Sequence, residues 1–246
     1  MLLGMELCEC SLHDVIDIQQ QRIPYTHQVR IVRELSEAVA FLHEHQIVHR
    51  DIRPKNILFK QGGYEGMVKL TDFGLSKEVD TTNLDVSFSS TTAPAGTEVG
   101  SFGYYAPEHH WQGRPTAKVD IFSLGCVIFY VFTHGRRPFE DLREPDNKVL
   151  MSVNIQIGRS NVKPVQHMPE VADLVTSMID IEAKIRPSTA QVLEHSLFWS
   201  DETRFQFLCA VGKEADVMSS SAAARLILPP SLLKQARWSD AIDERV

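Results

Sequence analysis

From Gln28 to Leu42 the apolar residues Ile31, Val32, Leu35, Ala38, Val39 and Leu42 recur three and four apart. That spacing predicts one buried stripe of an amphipathic helix, with Thr26 as its cap. Residues 1–8 read as an apolar strand that runs out into a polar connector. Ile47-Val48, Ile57-Leu58-Phe59 and Val68-Lys69-Leu70 are short strand-like runs. Between the last two, Gly62-Gly63-Tyr64-Glu65-Gly66 predicts a hairpin turn. Asp120 to Phe132 is apolar on every side and predicts a helix at a domain centre. Two further amphipathic helices are expected near 169–180 and 188–195, and the tail from Ser200 reads as helical to about Lys213. Residues 78–101 break the pattern: Thr81, Thr82, Ser87, Ser89, Ser90, Thr91, Thr92, Thr97 and Ser101 stand there without sustained periodicity. A connection of that length is uncommon in a compact domain and is usually functional or disordered.

Composition narrows the class. The chain has 246 residues, 43% of them hydrophobic and 23% charged, an ordinary globular mix able to build a core without staples. Its net charge of −7 offers no overall field to attract nucleic acid. The uncharged apolar stretch Ile121–Phe132 is too short for a membrane span, so no membrane contact is expected of this segment. The first ten residues have no basic lead, which argues against a secretory signal. Cys8, Cys10, Cys126 and Cys209 form neither a disulfide framework nor a paired zinc knuckle. A reducing, cytoplasmic location is therefore expected.

The chemistry concentrates in four segments. In His49-Arg50-Asp51-Ile52-Arg53-Pro54-Lys55-Asn56, an Asp on a tight loop precedes an Asn by five residues. A carboxylate and an amide so spaced can both reach one metal-bound phosphate. Asp72-Phe73-Gly74 adds a second carboxylate at a strand end, with a Gly that lets the chain turn. Two carboxylates and an amide suit a hard, oxygen-seeking Mg²⁺, which keeps waters and substrate phosphates as its other ligands. Ala106-Pro107-Glu108 and the helix of Asp120 follow. Each triplet alone is weak, but all four in this order and spacing are specific.

Together they resemble the eukaryotic protein-kinase signature set. The resemblance implies an α+β fold, mainly α: the helical lobe of a kinase with a small sheet bearing the catalytic and metal loops. It implies ATP and Mg²⁺ as cofactors, and protein substrates or a second copy of the chain as phosphoryl acceptors. Asp51 would accept the substrate hydroxyl proton, and Asn56 and Asp72 would hold Mg²⁺. Arg53 stands where serine/threonine kinases usually carry a Lys near the γ-phosphate, a planar fork in place of a compact charge. Gly4-Met5-Glu6-Leu7-Cys8 is similar to the hinge that binds adenine, with Leu58 under the ring. Arg50 would meet a phosphorylated residue of the hydroxyl-rich loop. Glu108 would pair with Arg186, and Asp120 would accept bonds from the catalytic-loop backbone.

Asp120-Ile121-Phe122-Ser123-Leu124-Gly125-Cys126, Arg137-Pro138-Phe139, and His195-Ser196-Leu197-Phe198-Trp199 running into Arg204-Phe205-Gln206-Phe207-Leu208 narrow the resemblance. They are similar to the inositol-requiring kinase/endoribonuclease family, sensors of the unfolded-protein response, to which ribonuclease L is related. The resemblance divides the chain into a hinge (1–8), a kinase C-lobe (9–199) and the start of a nuclease segment (200–246). It places the parent on the cytosolic face of the endoplasmic reticulum and implies a dimer or oligomer. Neither the Gly-rich lobe nor the nuclease's catalytic residues fall within the sequence. Residues 1–246 alone are therefore expected to transfer little phosphate, and RNA is expected to be a partner of the intact parent only. Two other readings stay open: a nucleotide-binding pseudokinase scaffold, and an endoribonuclease of the ribonuclease L type in the intact parent.

Overall fold

The computed structural model describes residues 6–78, 103–110 and 116–213. Residues 79–102, which hold all but the first residue of the hydroxyl-rich segment 78–101, and the tail beyond 213 lie outside the described residues, as do positions 1–5 of the strand expected at the N-terminus. Residues 6–8 are irregular, and the first strand, β1, is Cys10–Ser11. Pairing begins only where Glu9 N donates to Phe59 O at 2.9 Å. A short π-helical turn, Asp14–Ile18, follows, nucleated by the Asp14 carboxylate, which accepts from Ser11 N and Ser11 Oγ. These bonds hold the Asp14 carboxyl below its ordinary pKa.

Helix α1 (Tyr25–Glu44) carries the predicted stripe, burying Ile31, Val32, Leu35, Val39 and Leu42. Thr26 is not its cap. Pro24 stands at that position with extended backbone and no side-chain bond, and Thr26 lies inside the first turn. Proline's fixed φ starts the helix without a capping hydroxyl. On the outer face Arg30 pairs with Glu34 at 2.7 Å and Arg33 with Glu37 at 3.2 Å, both four residues apart.

Strands β2 (Ile47–Val48), β3 (Ile57–Lys60), β4 (Met67–Leu70) and β5 (Lys77–Glu78) form two antiparallel sheets. One has the order β1-β3-β4, and the other pairs β2 with β5. The β3–β4 register sets Ile57 opposite Leu70 and Lys60 opposite Met67. Helix α1 secures this hairpin through its outward charges. Arg30 donates to Gly66 O at 3.1 Å and Tyr64 O at 2.6 Å, and Glu34 Oε2 accepts from Val68 N at 2.9 Å.

Helix α2 (Ala117–Phe132) is buried from Val119 through Phe132, as its unbroken apolar run predicts. Each large side chain fully removed from water there stabilises by about 1.5–3 kcal/mol. Gly125 lets helix α4 (Pro169–Met178) approach: a Cβ at this position would lie 2.7 Å from Met178 Cβ and 2.9 Å from Ile179 Cγ2. Helix α3 (Lys148–Gln156) has no counterpart among the expected elements and buries only Met151, Asn154 and Ile155. Helices α4 (Pro169–Met178), α5 (Thr189–Leu193) and α6 (Asp201–Lys213) complete the chain. A reciprocal Ser188–Gln191 capping box starts α5. The architecture is mainly helical with small antiparallel sheets. No helix among the described residues is long and apolar enough to cross a membrane.

Candidate functional site

The segment 49–56 hangs from the first turn of α2. Asp120, fully buried, accepts from His49 N and Arg50 N at 2.8 Å each, and its Oδ2 lies 2.9 Å from His43 Nε2. Two backbone donors fixed on one carboxylate shape the loop, and Arg50 adopts a φ of 71° between them and Asp51. The His49 ring joins the loop to the next segment. Its Nδ1 accepts from Asp51 N at 3.2 Å, which leaves Nε2 to donate to Thr71 O at 3.0 Å. Burial lowers the His49 pKa, against the opposing pull of Asp120 and the other nearby carboxylates, and keeps the ring neutral in this geometry.

Asp51 is buried and its two oxygens are held differently. Oδ2 accepts from Asn56 Nδ2 at 2.7 Å and lies 3.1 Å from Arg53 Nε. Oδ1 accepts from the Tyr105 hydroxyl at 3.1 Å. Nothing in the residue pattern singles out Tyr105. Its place in the site comes from loop closure, and its position beside Ala106-Pro107-Glu108 is the sole sequence signal that could have drawn attention to it.

The β3–β4 register brings Asn56 and Asp72 to the same end of the hairpin. Asn56 immediately precedes Ile57, Asp72 follows Leu70 by two, and Thr71 N donates to Asn56 O at 3.0 Å. Asn56 Nδ2 donates to both Asp51 O and Asp51 Oδ2, so the amide presents Oδ1 as its remaining ligating atom. Asp72 is exposed, in a left-handed conformation (φ 67°), and accepts from Gly74 N at 3.4 Å. An amide oxygen and a hydrated carboxylate are hard donors, a set that fits Mg²⁺. Phe73 packs its ring edge-on against His49, with centroids 5.0 Å apart.

Glu6, Leu7 and Cys8 precede β1, and Leu58 lies in β3. Glu6 pairs with Lys60, and with Lys69 at 3.2 Å, and the two ammonium groups lower its pKa. Leu7 is 90% exposed and Cys8 half-buried. Leu58 is half-buried on the face of β3 opposite the core residues Ile57 and Phe59. Arg50 Nε is buried without a hydrogen-bond partner among the described residues, and the loop with which sequence paired it lies outside them.

Away from these groups, Arg186 binds Glu108 with both arms, Nη1 to Oε1 at 2.6 Å and Nη2 to Oε2 at 2.9 Å. The guanidinium is also bound by Lys118 O and Asp180 O, and lies 4.9 Å from the centre of the Phe122 ring. Such bidentate geometry fixes orientation as well as charge.

A family model described as protein kinase domain matches residues 1–198. Among curated relatives, the serine/threonine-protein kinase/endoribonuclease IRE1 of Oryza sativa subsp. japonica is 33% identical over 223 residues, covering 84% of this chain and 24% of its own length. IRE1a of Arabidopsis thaliana is 35% identical over 204 residues, with 83% and 23% covered. The ire-1 protein of Caenorhabditis elegans, carrying the same description, is 31% identical over 248 residues, with 98% and 25% covered. The chain thus spans about a quarter of the length of these relatives.

Proposed function

The chain belongs to the protein kinase domain family, and from that premise we propose that it serves transfer of the γ-phosphoryl group of ATP to serine or threonine hydroxyls. The observation that carries this reading is the Asp51 carboxylate, buried yet gripped on one oxygen by Asn56 and Arg53. In the proposed step Asp51 Oδ1 accepts the proton of the acceptor hydroxyl as the hydroxyl's own oxygen bonds to Pγ. The bond from Pγ to the β,γ-bridging oxygen breaks, and its electron pair leaves with ADP. With Oδ2 engaged by Asn56 and within ion-pair distance of Arg53, Oδ1 is the oxygen left to take the proton. Arg53 lies within ion-pair distance of Asp51, where its fork also meets the charge of the transferring group.

Asn56 and Asp72 are the residues that would hold Mg²⁺, which when bound neutralises phosphate charge. Glu6, Leu7 and Cys8 provide the adenine edge and Leu58 its floor, as the open face of β3 allows. Arg50 takes a phosphate of the segment 81–101, Asp120 fixes the loop, and Glu108 with Arg186 anchors the acceptor side. We further read residues 1–8 as hinge, 9–199 as the kinase lobe and 200–246 as the start of an endoribonuclease segment. Support for the last comes from the relative named kinase/endoribonuclease that aligns over 98% of the chain. Exposed Phe205 and Leu208 on α6 offer packing for the rest of that segment or for a second copy. Free Cys8, Cys10, Cys126 and Cys209 fit a reducing compartment.

The test is Mg²⁺-dependent transfer of labelled phosphate from ATP to a synthetic peptide of residues 81–101 by the intact protein. Asp51→Asn should cut the rate by about 10²–10⁴-fold, the usual share of a positioned base, while ATP binding persists. Transfer at an undiminished rate in that variant would overturn the reading.

A further inference from the structure

Tyr105 touches the site without a role in the reaction just described, and its contact bears on which hydroxyl Asp51 can serve. We propose that the Tyr105 hydroxyl occupies the acceptor position on Asp51, so that an incoming serine or threonine must displace it. The proposal rests on the phosphoryl-transfer reading and adds a residue that tunes acceptor binding.

Oδ2 of Asp51 is taken up by Asn56 Nδ2 at 2.7 Å and Arg53 Nε at 3.1 Å. Oδ1 is therefore the oxygen aimed at the acceptor, and it is the oxygen to which Tyr105 donates. A phenol O–H is the same kind of donor as a serine or threonine hydroxyl. It approaches the carboxylate within the range over which a general base meets its substrate. Both cannot hold the same position at once.

The contact is built to yield. A hydroxyl bound to a carboxylate usually sits at about 2.5–2.7 Å, whereas this one stands at 3.1 Å, so the bond is a weak one. The backbone on either side of Tyr105 is pinned. Tyr104 is buried, and its carbonyl accepts from Ser123 Oγ at 2.7 Å. Ala106 is buried, Pro107 O accepts from Gln156 Nε2 at 3.2 Å, and Glu108 is clamped by Arg186. Displacement is thus a turn of the half-buried Tyr105 side chain about its own bonds, with the loop left in place. Until an acceptor arrives, the phenol also keeps water off the proton-accepting oxygen.

Removing the hydroxyl should free Oδ1 without disturbing its supports. With the intact protein, labelled ATP, Mg²⁺ and the 81–101 peptide, Tyr105→Phe is expected to lower the peptide KM roughly tenfold. That ratio corresponds to about 1.4 kcal/mol of competition removed, with kcat changed less than twofold. Tyr105→Leu, which removes the ring as well, should also lower KM, and thermal unfolding of both variants checks that the loop stays folded. A merely structural tyrosine would lower kcat and leave or raise KM. If Asp51-dependent transfer occurs and KM is unchanged or raised in both variants, the acceptor role falls and the phosphoryl-transfer reading stands. If no Asp51-dependent transfer occurs in any form, that reading falls and the acceptor role falls with it.

Discussion

Asp51 and Asp72 are neighbours in the site and meet opposite surroundings. Asp51 is buried, with Asn56 and Tyr105 donating to its oxygens and Arg53 within ion-pair distance. Asp72 is exposed on a left-handed turn, where the bond from Gly74 N, at 3.4 Å, is a long one. The difference follows from the cost of dehydrating charge. A carboxylate taken out of water must be supplied with donors by the protein, whereas an exposed one keeps its water and can exchange it for a cation. One side of the site is completed from within the fold, and the other faces solvent. Asp120 marks the inner extreme: fully buried, its oxygens take two backbone amides and a histidine.

If the inner side is held as described, its supports should be costly to remove and the outer side cheap. The largest expected effect is at Asp120. Asp120→Ala orphans the buried amides of His49 and Arg50, at roughly 1–3 kcal/mol each. Denaturant unfolding should show a loss of about 2–6 kcal/mol, and a loss under 1 kcal/mol would break the comparison.

A smaller effect is expected from pH. Burial lowers the His49 pKa below its unfolded value of about 6.5, against the pull of Asp120, Asp51 and Asp72. The folded form therefore binds fewer protons than the unfolded chain below that pH. This contribution is complete above about pH 6.5 and is lost as pH falls towards the lower folded pKa. Its slope is at most about 1.4 kcal/mol per pH unit for one proton. His134, also lowered by burial and by Arg22, adds in the same direction. Unfolding free energies measured from pH 7 down to pH 5 should fall, and His49→Gln should flatten the fall relative to the unsubstituted chain. An unchanged slope in His49→Gln would remove the neutral, buried histidine from the account.

The smallest effect is on the outer side. Asp72→Asn, which keeps a residue that tolerates the left-handed backbone, should change stability without nucleotide by less than about 0.5 kcal/mol, as for exposed positions generally. It should nevertheless abolish the rise in melting temperature produced by ATP with Mg²⁺. A marked loss of stability without nucleotide would show that Asp72 is held from within after all.

Much of this was legible in the sequence because it is local. The spacing of Asp51, Asn56 and Asp72 is short enough for one hairpin register to bring their segments together, and the apolar run of α2 could be stable only inside a core. Helix α3 was not legible: Val149 and Val153 stay exposed while Met151 and Ile155 are buried, so its apolar residues form no single stripe. Thr26 read as a cap because hydroxyls commonly cap helices, yet a proline two residues earlier begins α1. The π-helical turn at Asp14–Ile18 depends on bonds from Ser11 that residue type alone does not announce.

What the sequence determined by itself was the chemistry at hand and the family to which the chain belongs, since ordered motifs and hydrophobic period are properties of residue order. Only the tertiary structure decided how the carboxylates divide their work. Whether an Asp is buried, which of its oxygens is taken and what lies against the other depend on segments far apart in the chain closing on one point. Tyr105 reaches Asp51 across 54 positions, and no periodicity encodes a contact of that range. Packing α2 against α1 and α4 sets where those segments meet.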